Sequence, residues 1–326
     1  MATHPLAPDS PFRRTNQARL HEAKFRDPIV TAEGERRAVV PMTGLTTIWF
    51  NTGTLCNLAC ATCYIESSPR NDALVYLSAA EVAAYLDEIA AERLPVREVG
   101  FTGGEPFMNR ETAAMIADAL DRGFEVLVLT NAMRPMRRFE RELMALRAEH
   151  GSRLLMRVSL DHHSRAVHEA ERGAGTWDKA LDGLRWLARE GFRIAVAGRA
   201  LPGEAEANAR AGYARLFAEQ ALSVNADDPS RLVLFPEMDA HADVPEISDG
   251  CWSILGLSPA SVMCASSRMV VRRRGEDRPS VAACTLLPYD PGFDLGSTLK
   301  GAMRPVALNH PHCARFCVLG GASCSG

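Results

Sequence analysis

The sequence has no surplus of basic charge. Its 37 Lys and Arg stand against 40 Asp and Glu, a formal charge of −3 over 326 residues. A surface built to neutralise nucleic-acid phosphates shows as a basic excess, so nucleic acid is excluded as the main partner. The sequence also lacks any apolar run near the roughly 18 to 20 residues that cross a bilayer, which excludes a membrane-spanning helix. Met1 to Arg14 is rich in Pro and polar residues and has no apolar core, unlike a secretory signal, so the expected compartment is the cytoplasm. Internal repeats and low-complexity tracts are missing as well. Cysteine is missing from one long stretch. Three lie at Cys56, Cys60 and Cys63, six at Cys251, Cys264, Cys284, Cys313, Cys317 and Cys324, and none in between. Nine is odd and a cytosol is reducing, which argues against disulfides and for two soft-metal sites.

What is present from about residue 45 is a regular alternation. Thr46 to Phe50, Glu98 to Phe101, Val126 to Leu129, Leu154 to Leu160, Arg193 to Ala197 and Arg231 to Phe235 are expected strands. Apolar residues at helical spacing fill the gaps. Val82, Leu86 and Ile89 follow a Ser78–Glu81 capping box, and Ile116 with Leu120, then Leu143 with Leu146, mark two more helices. Thr176 is the expected cap of a helix carrying Trp177, Leu181 and Leu184, and a fifth helix surrounds Tyr213 to Phe217. Such alternation implies parallel strands with right-handed crossovers. Six units fall short of an eight-stranded barrel, so the fold class is α/β, either an open partial barrel or a doubly wound sheet. In both, chemistry sits at the C-terminal strand ends. Residues 1–44 form an N-terminal extension in which Arg36 to Val40 adds an edge strand, and 45–245 form the α/β domain. Residues 246–326 form a small cysteine-rich domain with a hairpin, Met269 to Val271 and Ser280 to Ala282, tipped by solvated Arg272 to Asp277. So irregular a segment needs a bound metal for cohesion.

The string Cys56-Asn-Leu-Ala-Cys60-Ala-Thr-Cys63 follows the first strand. Three thiolates at these spacings wrap one face of a four-iron cluster and leave one iron open. A zinc ribbon would want a second cysteine pair roughly 15 to 20 residues on, which is missing. Together with Thr102-Gly-Gly-Glu-Pro106 after the second strand, this string resembles the radical S-adenosylmethionine (SAM) superfamily. The resemblance covers about residues 45 to 240 and implies a partial (β/α)6 barrel. It implies that SAM chelates the open iron, that one electron cleaves it, and that a 5′-deoxyadenosyl radical abstracts a substrate hydrogen. It also implies SAM contacts from Gly103, Gly104 and Glu105, where a Cβ would hold the ligand away. Asn131 beside Thr130, and Ser159, match further polar contacts, and Arg172 matches a bidentate grip on the SAM carboxylate. Where the family has an aromatic residue before the third cysteine this chain has Thr62, so Tyr64 is the expected cover of the adenine. An electron donor such as flavodoxin or ferredoxin is implied too.

The later cysteines resemble the auxiliary-cluster modules called SPASM and Twitch: Cys264 before the hairpin, Cys284 after it, then Cys313-x-x-x-Cys317 and Cys324. One further 4Fe–4S cluster is expected on Cys264, Cys284, Cys313 and either Cys317 or Cys324, with structural zinc as the alternative. Candidates for proton exchange at the active rim are Asp161, with His162 and His163, and Glu237, with Asp239. His310 and His312, beside Cys313, are a candidate ligand pair for a metal, but the more common reading next to Pro311 is a surface histidine. The expected activity is hydrogen abstraction from a small molecule or peptide, followed by oxidation, with the auxiliary cluster binding substrate or taking an electron. A redox-neutral outcome would need a thiol hydrogen donor, Cys251 or Cys324. A non-catalytic iron–sulfur carrier would have no use for the Gly-Gly-Glu-Pro string.

Overall fold

The computed structural model describes residues 10–13, 17–236 and 239–322. The elements of the first half are β1 (Val39–Val40), β2 (Thr47–Asn51), α1 (Ala79–Ala91), β3 (Glu98–Thr102), α2 (Thr112–Asp121), β4 (Glu125–Thr130), α3 (Arg134–Arg137), α4 (Glu140–His150) and β5 (Leu154–Ser159). Then come α5 (Arg165–Arg172), α6 (Thr176–Arg189), β6 (Arg193–Arg199), α7 (Glu206–Glu219) and β7 (Leu232–Phe235). The rest holds α8 (Cys251–Leu255), β8 (Ser267–Val271), β9 (Ser280–Ala282), β10 (Val306–Ala307) and a π-helical turn, Cys313–Val318.

Strands β2 to β7 pair in sequence order and all in parallel. A doubly wound sheet reverses its strand order at a switch point; this one does not, so the fold is a partial (β/α)6 barrel. The strands pack as their residue types require. Phe50 of β2 stacks on Phe101 of β3 with ring centroids 5.8 Å apart, and Val128, Met156, Val158 and Val196 of the next strands are fully buried. Helix α1 begins at the expected capping box. Ser78 Oγ accepts from the Glu81 amide at 3.2 Å, and the Glu81 carboxylate accepts from the Ser78 amide at 2.8 Å. No helix among the described residues is long and apolar enough to cross a membrane.

Several local expectations need correction. Thr176 is the first helical residue of α6, and the cap before it is Gly175 in a left-handed conformation. The edge strand at Arg36 to Val40 shrinks to β1, which pairs with β10 in a separate two-stranded ribbon. Strand β8 adds to the barrel sheet, parallel to β2, and carries β9 antiparallel on its far side. The hairpin tip is not simply solvated: Arg272 pairs with Glu81, and Arg273 with Asp294 and Ser280. Helix α5 has no apolar stripe to announce it, since its buried residues are His168 and Glu171.

Candidate active site

At the C-terminal ends of the strands lies a cavity of about 180 Å³. The loop after β2 brings Cys56, Cys60 and Cys63 to it, and the turns after β3 and β4 bring Gly103, Gly104 and Asn131. Ser159 and Asp161 reach it from the end of β5, and Arg172 from the end of α5. Thr285, Leu286 and Phe316 close it from the C-terminal side. Strand order alone assembles this set, because every parallel strand delivers its next loop to the same rim.

The thiols suit a metal. Burial pushes Cys56 up to about 11 and Cys60 up to about 12, with the Arg172 charge acting in the opposite direction on both. Backbone amides already point at sulfur: Leu58 N–H donates to Cys56 Sγ at 3.4 Å, and Ser67 N–H to Cys63 Sγ at 3.3 Å. Amide donors of this kind stabilise cluster-bound thiolates. The Ser67 hydroxyl, buried and without a partner, borders the same cavity. Three soft thiols on one face, beside a largely apolar space into which Asn131, Ser159 and Arg172 bring polar groups, fit a four-iron cluster with one open iron and SAM next to it.

The geometry assigns some side chains to other work. A Cβ on Gly103, at φ +140°, would lie 2.5 Å from Gly53 O, and one on Gly104 would lie 2.3 Å from Leu55 O. These glycines are required first by the protein's own loop, whose carbonyls accept from Gly104 and Glu105 N–H at 2.8 and 3.2 Å. Glu105 is buried and does not border the cavity. Its carboxylate accepts from Thr130 Oγ1 and the Asn131 amide, both at 2.8 Å, clasping β3 to β4. Burial pushes it up to about 7 despite those bonds. Asn131 Nδ2 donates to Asn57 Oδ1 at 2.9 Å and points at Cys56 Sγ at 4.0 Å. Tyr64 borders the cavity edge-on to Phe235 and Phe316, with its hydroxyl on Pro236 O at 3.3 Å.

Asp161 is not poised to exchange protons. Arg172 Nε and Nη2 donate to its two oxygens at 2.5 and 3.0 Å. Burial disfavours the carboxylate, but the guanidinium outweighs it and holds Asp161 below its ordinary value. Asp161 therefore anchors a charged Arg172 beside the thiols. His162 and His163 share Glu204 at 2.9 and 3.2 Å, away from the cavity lining. The Ser164 amide donates to His162 Nδ1 at 3.0 Å, which fixes the proton of neutral His162 on Nε2, against Glu204. Glu237 lies outside the described residues.

Two residues that sequence reasoning missed hold the cysteine loop. Glu171 Oε1 accepts from the Thr62 amide at 2.8 Å and its hydroxyl at 2.6 Å, while Glu171 O accepts from the Ala61 amide at 2.9 Å. Arg199 pairs with the same carboxylate at 3.0 Å. From the N-terminal extension Ser10 donates to Glu171 Oε2 at 2.7 Å, and Phe12 lies 4.3 Å from the Arg199 guanidinium. Thr62 in place of an aromatic residue was the available signal: its hydroxyl implied a polar partner.

The second group of cysteines also converges. Cys264, Cys284, Cys313 and Cys317 border one small cavity behind Leu286, which borders both cavities. Burial, then the neighbouring Cys284, Cys317 and Cys264, push the Cys313 thiol far up. The Leu286 amide donates to Cys284 Sγ at 3.4 Å. Four thiols with no other soft ligand required fit a fully coordinated cluster. His310 and His312 are half-buried rather than surface residues: burial lowers them to about 4 and about 3, and His312 borders the thiol cavity. Cys251 sits apart on α8, receiving the Ser248 amide at 3.4 Å, and Cys324 lies outside the described residues.

Residues 50–210 match the family model of the radical SAM superfamily. A GTP 3′,8-cyclase of Rhodococcus opacus is 32% identical over 165 residues, which is 43% of this chain and 47% of that protein. Mycofactocin maturase MftC of Mycobacterium tuberculosis is 31% identical over 137 residues, 42% of this chain and 33% of the relative. The matches thus span half or less of these relatives. Among solved structures, anSMEcpe with bound AdoMet has a TM-score of 0.55 at 15% identity, covering 79% of this chain and 80% of that one. Streptococcus suis SuiB bound to S-adenosylmethionine has a TM-score of 0.56 at 10% identity, covering 78% and 63%. These two likenesses show the fold. The chain belongs to the radical SAM superfamily, as a member with an auxiliary iron–sulfur module after its barrel. The cofactors of that membership are SAM, a SAM-binding 4Fe–4S cluster and a second, auxiliary cluster.

Proposed function

We propose that this protein cleaves SAM reductively and uses the 5′-deoxyadenosyl radical to abstract hydrogen from a small molecule or peptide, beginning an oxidative modification. The observation that carries this reading is the convergence of Cys56, Cys60 and Cys63 with the paired Arg172 on one cavity. A four-iron cluster on those thiols supplies, when bound, the electron and the open coordination site for SAM. The chain's own residues do the rest. Arg172, kept charged by Asp161, offers a planar cation to the SAM carboxylate. Glu171 fixes the loop between Cys60 and Cys63. Tyr64, Phe235, Leu286 and Phe316 form an apolar wall that excludes water from a reactive radical.

The oxidative branch is favoured over the redox-neutral one by two observations. Cys264, Cys284, Cys313 and Cys317 make a complete four-thiol set, which leaves no open iron for substrate and suits electron transfer. Among the described residues, Cys56, Cys60 and Cys63 are the thiols that border the first cavity, and Cys251, one of the two candidate hydrogen donors, does not border it. A maturase stands among the relatives, and the substrate class is a small molecule or a peptide. The reduced partner that supplies electrons is of the flavodoxin or ferredoxin kind.

The test is anaerobic reconstitution followed by dithionite and SAM. Wild type should release 5′-deoxyadenosine, and the Cys56, Cys60 and Cys63→Ala triple variant should release none while keeping the auxiliary iron. SAM cleavage undiminished in the triple variant would sink the assignment.

A further inference from the structure

The C-terminal module buries an arginine for which the proposed function has no task. Arg268 on β8 is 1% exposed. Its Nε donates to Ala302 O at 2.9 Å, Nη1 to Cys264 O at 2.6 Å and Ser267 O at 2.7 Å, and Nη2 to Arg304 O at 2.9 Å. Every acceptor is a neutral carbonyl, and among the described residues no carboxylate pairs with it. A buried charge without a counter-charge is costly. The anion placed to offset that cost is the sulfur that Cys264, just before β8, would offer to a bound metal, since the carbonyl of the same residue holds Arg268 Nη1 at 2.6 Å.

We infer that Arg268 is the fixed counter-charge of the auxiliary site and raises its reduction potential, so that the site accepts the electron released after hydrogen abstraction. The inference rests on reading Cys264, Cys284, Cys313 and Cys317 as ligands of a four-iron cluster. Four thiolates make such a cluster anionic, and reduction adds one more negative charge. A cation held in a low-dielectric interior stabilises the reduced form more than the oxidised one. The electrons balance simply. The substrate radical gives one electron to the auxiliary site and one proton to solvent, leaving a closed-shell product, and the site then passes its electron to an external one-electron carrier of the flavodoxin or ferredoxin class. Leu286, on the wall of both cavities, marks the short route between them.

Four carbonyl bonds could equally serve as a staple, so the test must separate charge from hydrogen bonding. Arg268→Lys keeps the charge and loses the fork, whereas Arg268→Gln keeps polar contacts and loses the charge. Arg268→Met is a second uncharged variant with no polar atoms to satisfy. Each full-length protein is reconstituted anaerobically, analysed for iron and zinc, and titrated potentiometrically with electron paramagnetic resonance. The first site, recognised by its spectral response to SAM, serves as internal reference. The auxiliary midpoint should move to more negative potential in the Gln and Met variants, stay near wild type in the Lys variant, and leave the first site unmoved in all. An unmoved midpoint in the iron-loaded uncharged variants, or the same shift in the Lys variant, overturns the role of Arg268 alone. Zinc or no metal at the auxiliary site of wild type overturns the ligand reading, and the role of Arg268 with it.

Discussion

The barrel and the segment after it are held together in different ways. All five residues of β2 are buried, and β2 to β6 pair along registers of four or five residues, so apolar burial and ladder bonds suffice. The C-terminal segment has buried apolar residues too, among them Leu286, Leu299 and Phe316, but its interior is rich in donors. Arg268 is buried among carbonyls, Arg273 Nη2 donates to Pro288 O at 3.0 Å, and four thiols face one another. Burial stabilises the first region whatever the metal content. The second gathers groups that are costly together until a metal takes them up.

The largest effect should come from breaking that contrast at the auxiliary site. Cys284→Ala should cut the iron from about eight to about four per chain. It should also make the chain beyond β9 sensitive to protease while the barrel stays resistant, as limited proteolysis with mass analysis would show. Equal resistance in the variant and in wild type would mean that burial alone holds both regions.

The same contrast governs what was legible in the sequence. Barrel strands and their crossover helices could be read because period and cap are local signals: Val82, Leu86 and Ile89 repeat as a helix must, and Ser78 with Glu81 marks its start. The cysteine loop and the Gly-Gly-Glu turn were legible for the same reason. Pairings between distant segments were not. Nothing local in Ser267–Val271 says that it lies parallel to β2, and nothing in Ser10 or Phe12 says that they reach Glu171 and Arg199. Helix α5 was missed because it buries a histidine and a glutamate where a helical stripe should be apolar. Yet it carries Glu171 and Arg172. Polar residues buried for the sake of a site break the pattern that finds helices.

A smaller effect probes the barrel rim. Glu105 titrates at about 7 when folded, against an ordinary 4.5, so between these values the native state binds more protons than the unfolded chain. Stability must then fall as pH rises from 4.5 to 7 and level off above. Over that window the gap should approach about 3 kcal/mol, from the constant linking one pKa unit to 1.36 kcal/mol. Glu105→Gln cannot titrate. The stability of wild type relative to this variant, from urea unfolding at a series of pH values, should decline by that amount and then stay level. A pH-independent difference would place Glu105 outside the titrating groups of the fold.

The smallest effect tests whether the two regions are coupled through α1. Ser78 and Glu81 cap the helix reciprocally, and Glu81 Oε1 also pairs with Arg272 beside the β8–β9 hairpin. Ser78→Ala removes one side-chain acceptor at a helix start and should cost about 1 kcal/mol in global unfolding. It leaves the Glu81–Arg272 pair in place, so the protease resistance of the C-terminal segment should not change. Glu81→Ala removes the cap and the pair together. Both partners are about a quarter exposed, so screening limits the pair to at most about 1 kcal/mol beyond the cap. The informative quantity is therefore the difference between the variants. If Glu81→Ala loosens the hairpin to protease and Ser78→Ala does not, the ion pair couples the regions. If the two variants behave alike, the ion pair adds nothing to the other contacts that join the regions: the four-residue β2–β8 ladder, the Leu74–Arg273 bridge, and the Tyr85 hydroxyl on Pro279 O and Ser297 O.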